Sequence, residues 1–147
     1  MKINIIHGPN LNQLGKRKKE HYGVLSLEEI NCLLEKKAAQ LNIQLKILQS
    51  NYEGKIIDFI QHSSQEADGL IINPGAFTHY SYAISDALED CKIPAIEVHL
   101  SNIYSREDFR AKSVTARSCT GQIAGLGYHG YLLAIEGMYF LINGRKA

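Results

Sequence analysis

The chain has 147 residues, 45% of them hydrophobic and 21% charged, with a formal net charge of +1. That length holds one domain with a real core, not two. The near-zero charge supplies no global field for nucleic acid or an anionic membrane, and no apolar run approaches the ~18 residues of a membrane-spanning helix.

Met1–Ile6 carries one Lys and an apolar run only as long as a strand, so it is read as a strand and not as a signal peptide. The first strand, Ile3–His7, runs into the turn Gly8-Pro9-Asn10. Residues Leu11 to Gly23 are polar and basic, with neither a strand nor a helix period; a loop this long in a compact domain is functional or disordered. It contains Lys16-Arg17-Lys18-Lys19, the only dense basic cluster, read as a solvated run. Ser26 with Glu29 forms a capping box opening a helix whose apolar stripe is Leu27, Ile30, Leu33, Leu34, Ala38 and Leu41. Ile43–Leu48 alternates, which predicts a strand near an edge. Ser50–Gly54 leads to a second helix with Ile56, Ile57, Phe59 and Ile60 inward.

Gly69–Ile72 is unbroken in its apolarity and therefore a central strand. The turn-rich Asn73–His79 switches into a helix through Asp86 and Leu88. After Ile93-Pro94 comes a fourth strand, Ile96–Asn102, then a short helix over 106–110 with Ser105 as its N-cap. A fifth strand runs near Gln122–Leu126, and the last helix spans Tyr131 to Leu141, ending at Gly144. Cys32, Cys91 and Cys119 have neither metal-site nor disulfide spacing and read as free thiols of a reducing cytoplasm. Strands alternating with helices predict one doubly wound α/β domain with a five-stranded parallel sheet in the order 2-1-3-4-5.

In such a sheet both faces are covered, so strands should be apolar throughout. The fourth strand breaks that rule. Ile96, Val98 and Leu100 share one face, while Glu97, His99 and Ser101 share the other, roughly 6–7 Å apart along the strand. Ligands of this architecture bind beyond the carboxyl ends of the strands at the switch point. There Gly8-Pro9-Asn10, Asn73-Pro74-Gly75 and Glu97–Ser101 would converge, with the 11–23 loop as a lid. Glu97, His99 and His79 invite a metal reading, but no His-x-x-x-His or Cys pair accompanies them, so no metal is expected. The lysines fall in loops and on helix faces, which disfavours a Schiff base.

Gly8–Gly15 with Arg17, Tyr22 and Gly23 resembles the N-terminal signature of type II 3-dehydroquinate dehydratases. Gln49–Gly54, Ile72–Ser81 with Asp86, Ile96–Asn102 with Arg106 and Phe109-Arg110, and Gly125–Gly127 with Gly130-Tyr131 are similar to that family's later blocks, in order, over roughly residues 3 to 137. The pattern departs at His7 (often Asn), Lys18-Lys19 (often Glu-Pro), Tyr80 (often Thr), Ser85 (often Arg) and across Thr115–Gln122.

The resemblance implies a flavodoxin-like fold and cofactor-free loss of water from 3-dehydroquinate, in the shikimate or quinate pathway. It also implies a dodecamer, a tetramer of trimers. By residue match, Tyr22 would take the α-proton, Arg17 would favour its phenolate, and His99 would protonate the leaving hydroxyl with Glu97 beside it. An unassisted phenol is ionised to only about one part in a thousand at pH 7, and a cation within ~4–6 Å favours the anion. Asn10 would hold a water or the enolate oxygen. Leu100, through its main chain, and Ser101 would hold the carboxylate, and Asn73, His79 and Arg110 the ring hydroxyls. Arg106 would support Arg17 or Glu97, and Asp86 would reach a neighbouring subunit's site. The rival reading is a non-catalytic flavodoxin-like module for a small carboxylate. A flavin or phosphate binder is disfavoured because Gly8-Pro9-Asn10-Leu11 is not Gly/Ser/Thr-rich.

Overall fold

Isoleucine-rich stretches too short for helices pair side by side through their backbones. They form a parallel sheet of β1 (Lys2–His7), β2 (Gln44–Gln49), β3 (Gly69–Asn73), β4 (Ala95–His99) and β5 (Gly121–Ala124). The strand order is 2-1-3-4-5, as expected from the sequence. The structure, a computed structural model, describes residues 1–16 and 18–144. β3 and β4 are buried along their whole length, and β2 lies at an edge with alternating burial, which matches its pattern.

Helices cover both faces. α2 (Leu27–Gln40) and α5 (His129–Gly144) pack on one, where Ile30, Leu34, Ile96, Val98, Leu100, Ile135 and Met138 form a core. α3 (Glu53–Glu66) and α4 (Tyr82–Glu89) cover the other over Ile6, Ile56, Ile60, Leu70 and Ile72. The capping box is present: Ser26 Oγ accepts from Glu29 N, and the Glu29 carboxylate accepts from Ser26 N. Among the described residues, no helix is long and apolar enough to cross a membrane.

Some boundaries differ from the sequence reading. The fourth strand ends at His99, so Leu100 and Ser101 lie just beyond it, with Leu100 still buried in the core. Ser105 does not cap a helix. Asn102 does, because its side chain accepts from Tyr104 N, leaving Ser105 to donate back to the Asn102 carbonyl. The next turn, Asp108–Arg110, starts from Glu107. Within 11–23 the described residues include a turn at Leu11–Gln13 and a short helix α1 (Lys19–Tyr22), with Leu11 and Leu14 buried. The last helix starts two residues earlier than expected, at His129.

At the switch point between β1 and β3 the two Gly-Pro turns interlock. Gly8 N donates to the Asn73 carbonyl at 2.8 Å, and a Cβ on Gly8 would lie 2.6 Å from the Pro74 carbonyl carbon. Gly75 adopts φ +59°, and a Cβ there would meet the Pro9 oxygen at 3.0 Å. Gly54, near the start of α3, has open space around it. Gly8→Ala is therefore expected to destabilise the fold by about 1–3 kcal/mol. Gly54→Ala is expected to be neutral or stabilising by up to about 1 kcal/mol. Denaturant unfolding of the two variants checks this, and equal effects would contradict the interlock.

Candidate active site

The loops after β1, β3 and β4 leave a crevice beyond the strand ends. It encloses about 470 Å³, its open mouth included, and Tyr22 of α1 stands at its rim. Asn10, Asn73, His79, His99, Leu100, Ser101, Arg106 and Arg110 all line it. Eight residues singled out in the sequence thus meet with Tyr22 in one space. Glu97 lies one layer behind, wholly buried. Asp86 is exposed on α4 beside Lys112 and Arg117, away from this crevice. Arg17 lies outside the described residues.

Glu97 is the electrostatic centre. Its carboxylate receives five donors: Thr78 Oγ1 (2.9 Å), Ser113 Oγ (2.9 Å), Gln122 Nε2 (2.9 Å) and His99 Nε2 (2.6 Å) on Oε1, and Thr115 Oγ1 (2.5 Å) on Oε2. Burial by itself raises a carboxyl pKa. The hydrogen bond and charge of His99, with those of Thr115 and Gln122, outweigh that and hold Glu97 well below the usual carboxylate range. Because an ionised carboxylate only accepts, His99 carries a proton on Nε2 and turns Nδ1 to the crevice side.

Thr78, Ser113, Thr115 and Gln122 were not singled out in the sequence. They come from the turn after β3, from the segment before the Ala116–Ser118 turn, and from β5. The one available signal was that an acid on a covered strand requires donors.

The opposite wall is basic. Arg106 Nη1 donates to the Tyr22 hydroxyl at 3.0 Å and to Ser101 Oγ at 3.4 Å, with its guanidinium 5.5 Å from the Tyr22 ring centre. This corrects the expectation that Arg106 supports Glu97: Glu97 is filled by neutral donors and His99, and Arg106 extends to the rim; the other half of the expectation, support of Arg17, lies outside the described residues. Arg110 is held by Glu107 at 3.0 Å.

His79 donates through Nδ1 to the Lys112 carbonyl at 2.8 Å, which leaves Nε2 as an acceptor. Burial, then the charges of Arg110, His99 and Arg106, push its imidazole down, against the Lys112 hydrogen bond. Asn73 Oδ1 accepts from Gly75 N at 3.1 Å. Asn10 sits in the left-handed region at φ 67°, with its N–H on Asn51 Oδ1 at 2.9 Å. Gln49 donates to that same Asn51 oxygen and to the Gly8 carbonyl, so the 49–51 segment braces the first loop. The site combines a phenol beside a guanidinium with an imidazole backed by a buried carboxylate, facing one cavity lined with donors.

Comparison with known proteins agrees with that chemistry. A family model described as dehydroquinase class II matches residues 1–139. A 3-dehydroquinate dehydratase of Roseiflexus castenholzii is 60% identical over 136 residues, 92% of this chain and 87% of that protein. One of Thermotoga maritima is 54% identical over 136 residues, 92% and 93% of the two chains. The crystal structure of a type II dehydroquinase from Butyrivibrio crossotus superposes with a TM-score of 0.92 at 49% identity, covering 94% of this chain and 97% of that one.

Glu97 generates a stability prediction with a definite sign. Its pKa in the fold is depressed below the ordinary 4.5, so its contribution is complete above about pH 4.5 and lost as pH falls through the folded value. Glu97→Gln is expected to cost about 3–5 kcal/mol at pH 7. The gap to the unsubstituted protein should narrow as pH falls from 5 towards 3. Urea unfolding across that range measures it, and a gap that widens on acidification would contradict an ionised Glu97.

Proposed function

This chain belongs to the class II dehydroquinase family, and from that premise we propose that it dehydrates 3-dehydroquinate to 3-dehydroshikimate through an enolate. The observation that carries the reading is the pairing across the crevice. The Tyr22 hydroxyl is 3.0 Å from a guanidinium nitrogen of Arg106, and His99 is 2.6 Å from the buried Glu97 carboxylate.

The substrate carries a hydroxyl β to a ketone. Tyr22, as phenolate, takes the α-proton, and the C–H pair flows into an enolate whose oxygen meets Asn10 or a water held by it. The enolate collapses to the conjugated ketone and expels the β-hydroxyl, which takes a proton from His99 and leaves as water. The proton gained by Tyr22 returns to His99 through solvent, which closes the cycle. Arg106, with Arg17, favours the phenolate, and Glu97 holds the Nε2 proton of the ring, so the proton that His99 delivers is the second one, carried on Nδ1 by the imidazolium. The Leu100 and Ser101 amides and the Ser101 hydroxyl take the substrate carboxylate. Asn73, His79 and Arg110 take ring hydroxyls.

The chain acts in this reading as one catalytic domain whose 11–23 segment is a mobile lid that brings Tyr22 and Arg17 over the substrate. It works in the cytoplasm, in the shikimate or quinate pathway, as a tetramer of trimers. In that assembly Asp86 serves a neighbouring subunit's crevice, which accords with its exposure away from its own.

Purified protein given 3-dehydroquinate is expected to generate the ultraviolet absorbance of an enone. Tyr22→Phe should lower kcat by about 10²–10⁴-fold, and Arg106→Met by about 10²-fold, without loss of the oligomer. No enone from the unsubstituted protein, or near-normal turnover by Tyr22→Phe, would contradict the proposal and favour a non-catalytic binding module.

A further inference from the structure

One donor of Glu97 is itself gripped from the surface. Gln122 lies on β5 in register with Glu97 of β4, so the two side chains share a face of the sheet. Its Nε2 donates to Glu97 Oε1 at 2.9 Å, and its own Oε1 accepts from the Tyr104 hydroxyl at 2.5 Å. Tyr104 is 55% exposed on the Ile103–Ser105 turn, where its N–H is held by Asn102 Oδ1. Among the described residues, the Gln122 amide has these two side-chain partners. It falls in the stretch 115–122 that departs from the family pattern, so the resemblance gives it no role.

The direction of this line is forced at its inner end. The ionised Glu97 only accepts, so Gln122 turns its NH₂ inward and its carbonyl outward. Tyr104 then donates to that carbonyl, which polarises the amide and makes Nε2 a better donor. The same Glu97 Oε1 takes His99 Nε2 at 2.6 Å. Donors on one oxygen share its negative charge, so what the amide draws is withdrawn from the imidazole. A firm Gln122 bond therefore loosens the hold of Glu97 on the doubly protonated ring. The other titratable or charged groups near the pair are Cys119, His79, Tyr22, Arg106 and Arg110. None of these five is a side-chain partner of the Gln122 amide, so a change at Gln122 reaches His99 through Glu97.

We propose that Gln122 and Tyr104 are positioning residues that set how tightly Glu97 holds the His99 imidazolium, and so tune the acid that protonates the leaving hydroxyl. The inference rests on His99 being that acid, as in the functional reading above. Thr78 and Thr115 satisfy the carboxylate from positions that are wholly buried, whereas the Gln122 line ends at an exposed phenol. The strength of the acid is thus adjustable from a surface position outside the crevice lining.

Gln122→Met fills nearly the same space and donates nothing. It is expected to raise the pH at which His99 gives up its second proton by about 0.5–1 unit, part of the worth of one hydrogen bond to a carboxylate. Tyr104→Phe keeps the ring and the turn, and should raise it by roughly a third as much. In the Gln122→Met background Tyr104→Phe should add nothing, because its effect passes through the amide. Histidine-selective ¹⁵N spectroscopy measures these shifts without turnover. It therefore separates failure of this proposal from failure of the functional reading, which the enone assay detects. With 3-dehydroquinate, the alkaline limb of the kcat profile should move up in step, with KM changed by less than about twofold. Ile123→Val, the next residue on β5 but packed on the α5 side, is the structural control. It should lower the melting temperature and leave the His99 titration unmoved. The proposal is overturned if Gln122→Met leaves that titration in place or moves it down, if Tyr104→Phe acts equally with and without Gln122, or if the titration moves while the alkaline limb stays. Should Gln122→Met fail to fold, Tyr104→Phe decides alone, and an unmoved His99 titration overturns the proposal.

Discussion

An ionised carboxylate on the central part of a buried strand costs several kcal/mol unless donors surround it. Glu97 is such a group, and meeting its demand shapes one end of the molecule. Thr78 must come from the turn after β3, Ser113 and Thr115 from the segment before β5, and Gln122 from β5 itself. The fifth donor is His99, two residues along the same strand. The donors that satisfy the acid also fix the imidazole, so the ring that delivers the catalytic proton is held in place on a rigid strand. Three hydroxyls, one amide and one imidazole are thereby committed to a single group.

The remaining walls depend on close backbone approach. The Gly8-Pro9 and Pro74-Gly75 turns fit together only because neither glycine carries a Cβ. That contact sets Asn10 and Asn73 side by side at the switch point. The first loop then leaves the sheet, anchored by Leu11 and Leu14, and returns Tyr22 to the rim within reach of Arg106. The fixed half of the site is thus built on β3 and β4, and the basic, phenolic half comes from connections. This division suits an elimination whose two proton transfers occur on different sides of the substrate.

Much of this was legible in the sequence. Strand order followed from the alternation of strands and helices, and the capping box at Ser26 and Glu29 marked its helix start. Glu97 and His99 stood out because period-2 polarity has no place on a doubly covered strand. What was not legible was long-range. Thr78, Ser113, Thr115 and Gln122 look like ordinary turn and edge residues, since no local period encodes a donor whose acceptor lies 16 to 25 residues away. Arg106 extends to Tyr22 and not to Glu97 because a flexible side chain seven residues past a strand can reach several groups. Ser105 lost the cap to Asn102, whose side-chain oxygen reaches the Tyr104 N–H two residues on, as Asx turns do. The 11–23 segment hid a short helix because one turn is too brief to show a period.

The central claim is a division of labour: Tyr22 removes the α-proton and His99 delivers the proton to the leaving hydroxyl. The most direct measurement is nuclear magnetic resonance of 3-dehydroquinate incubated in D₂O with a His99→Ala protein. If the claim holds, the substrate gains deuterium at the α-carbon much faster than it loses water, because the base works while the acid is missing. Elimination at the unsubstituted rate, or loss of exchange and elimination together, would contradict it.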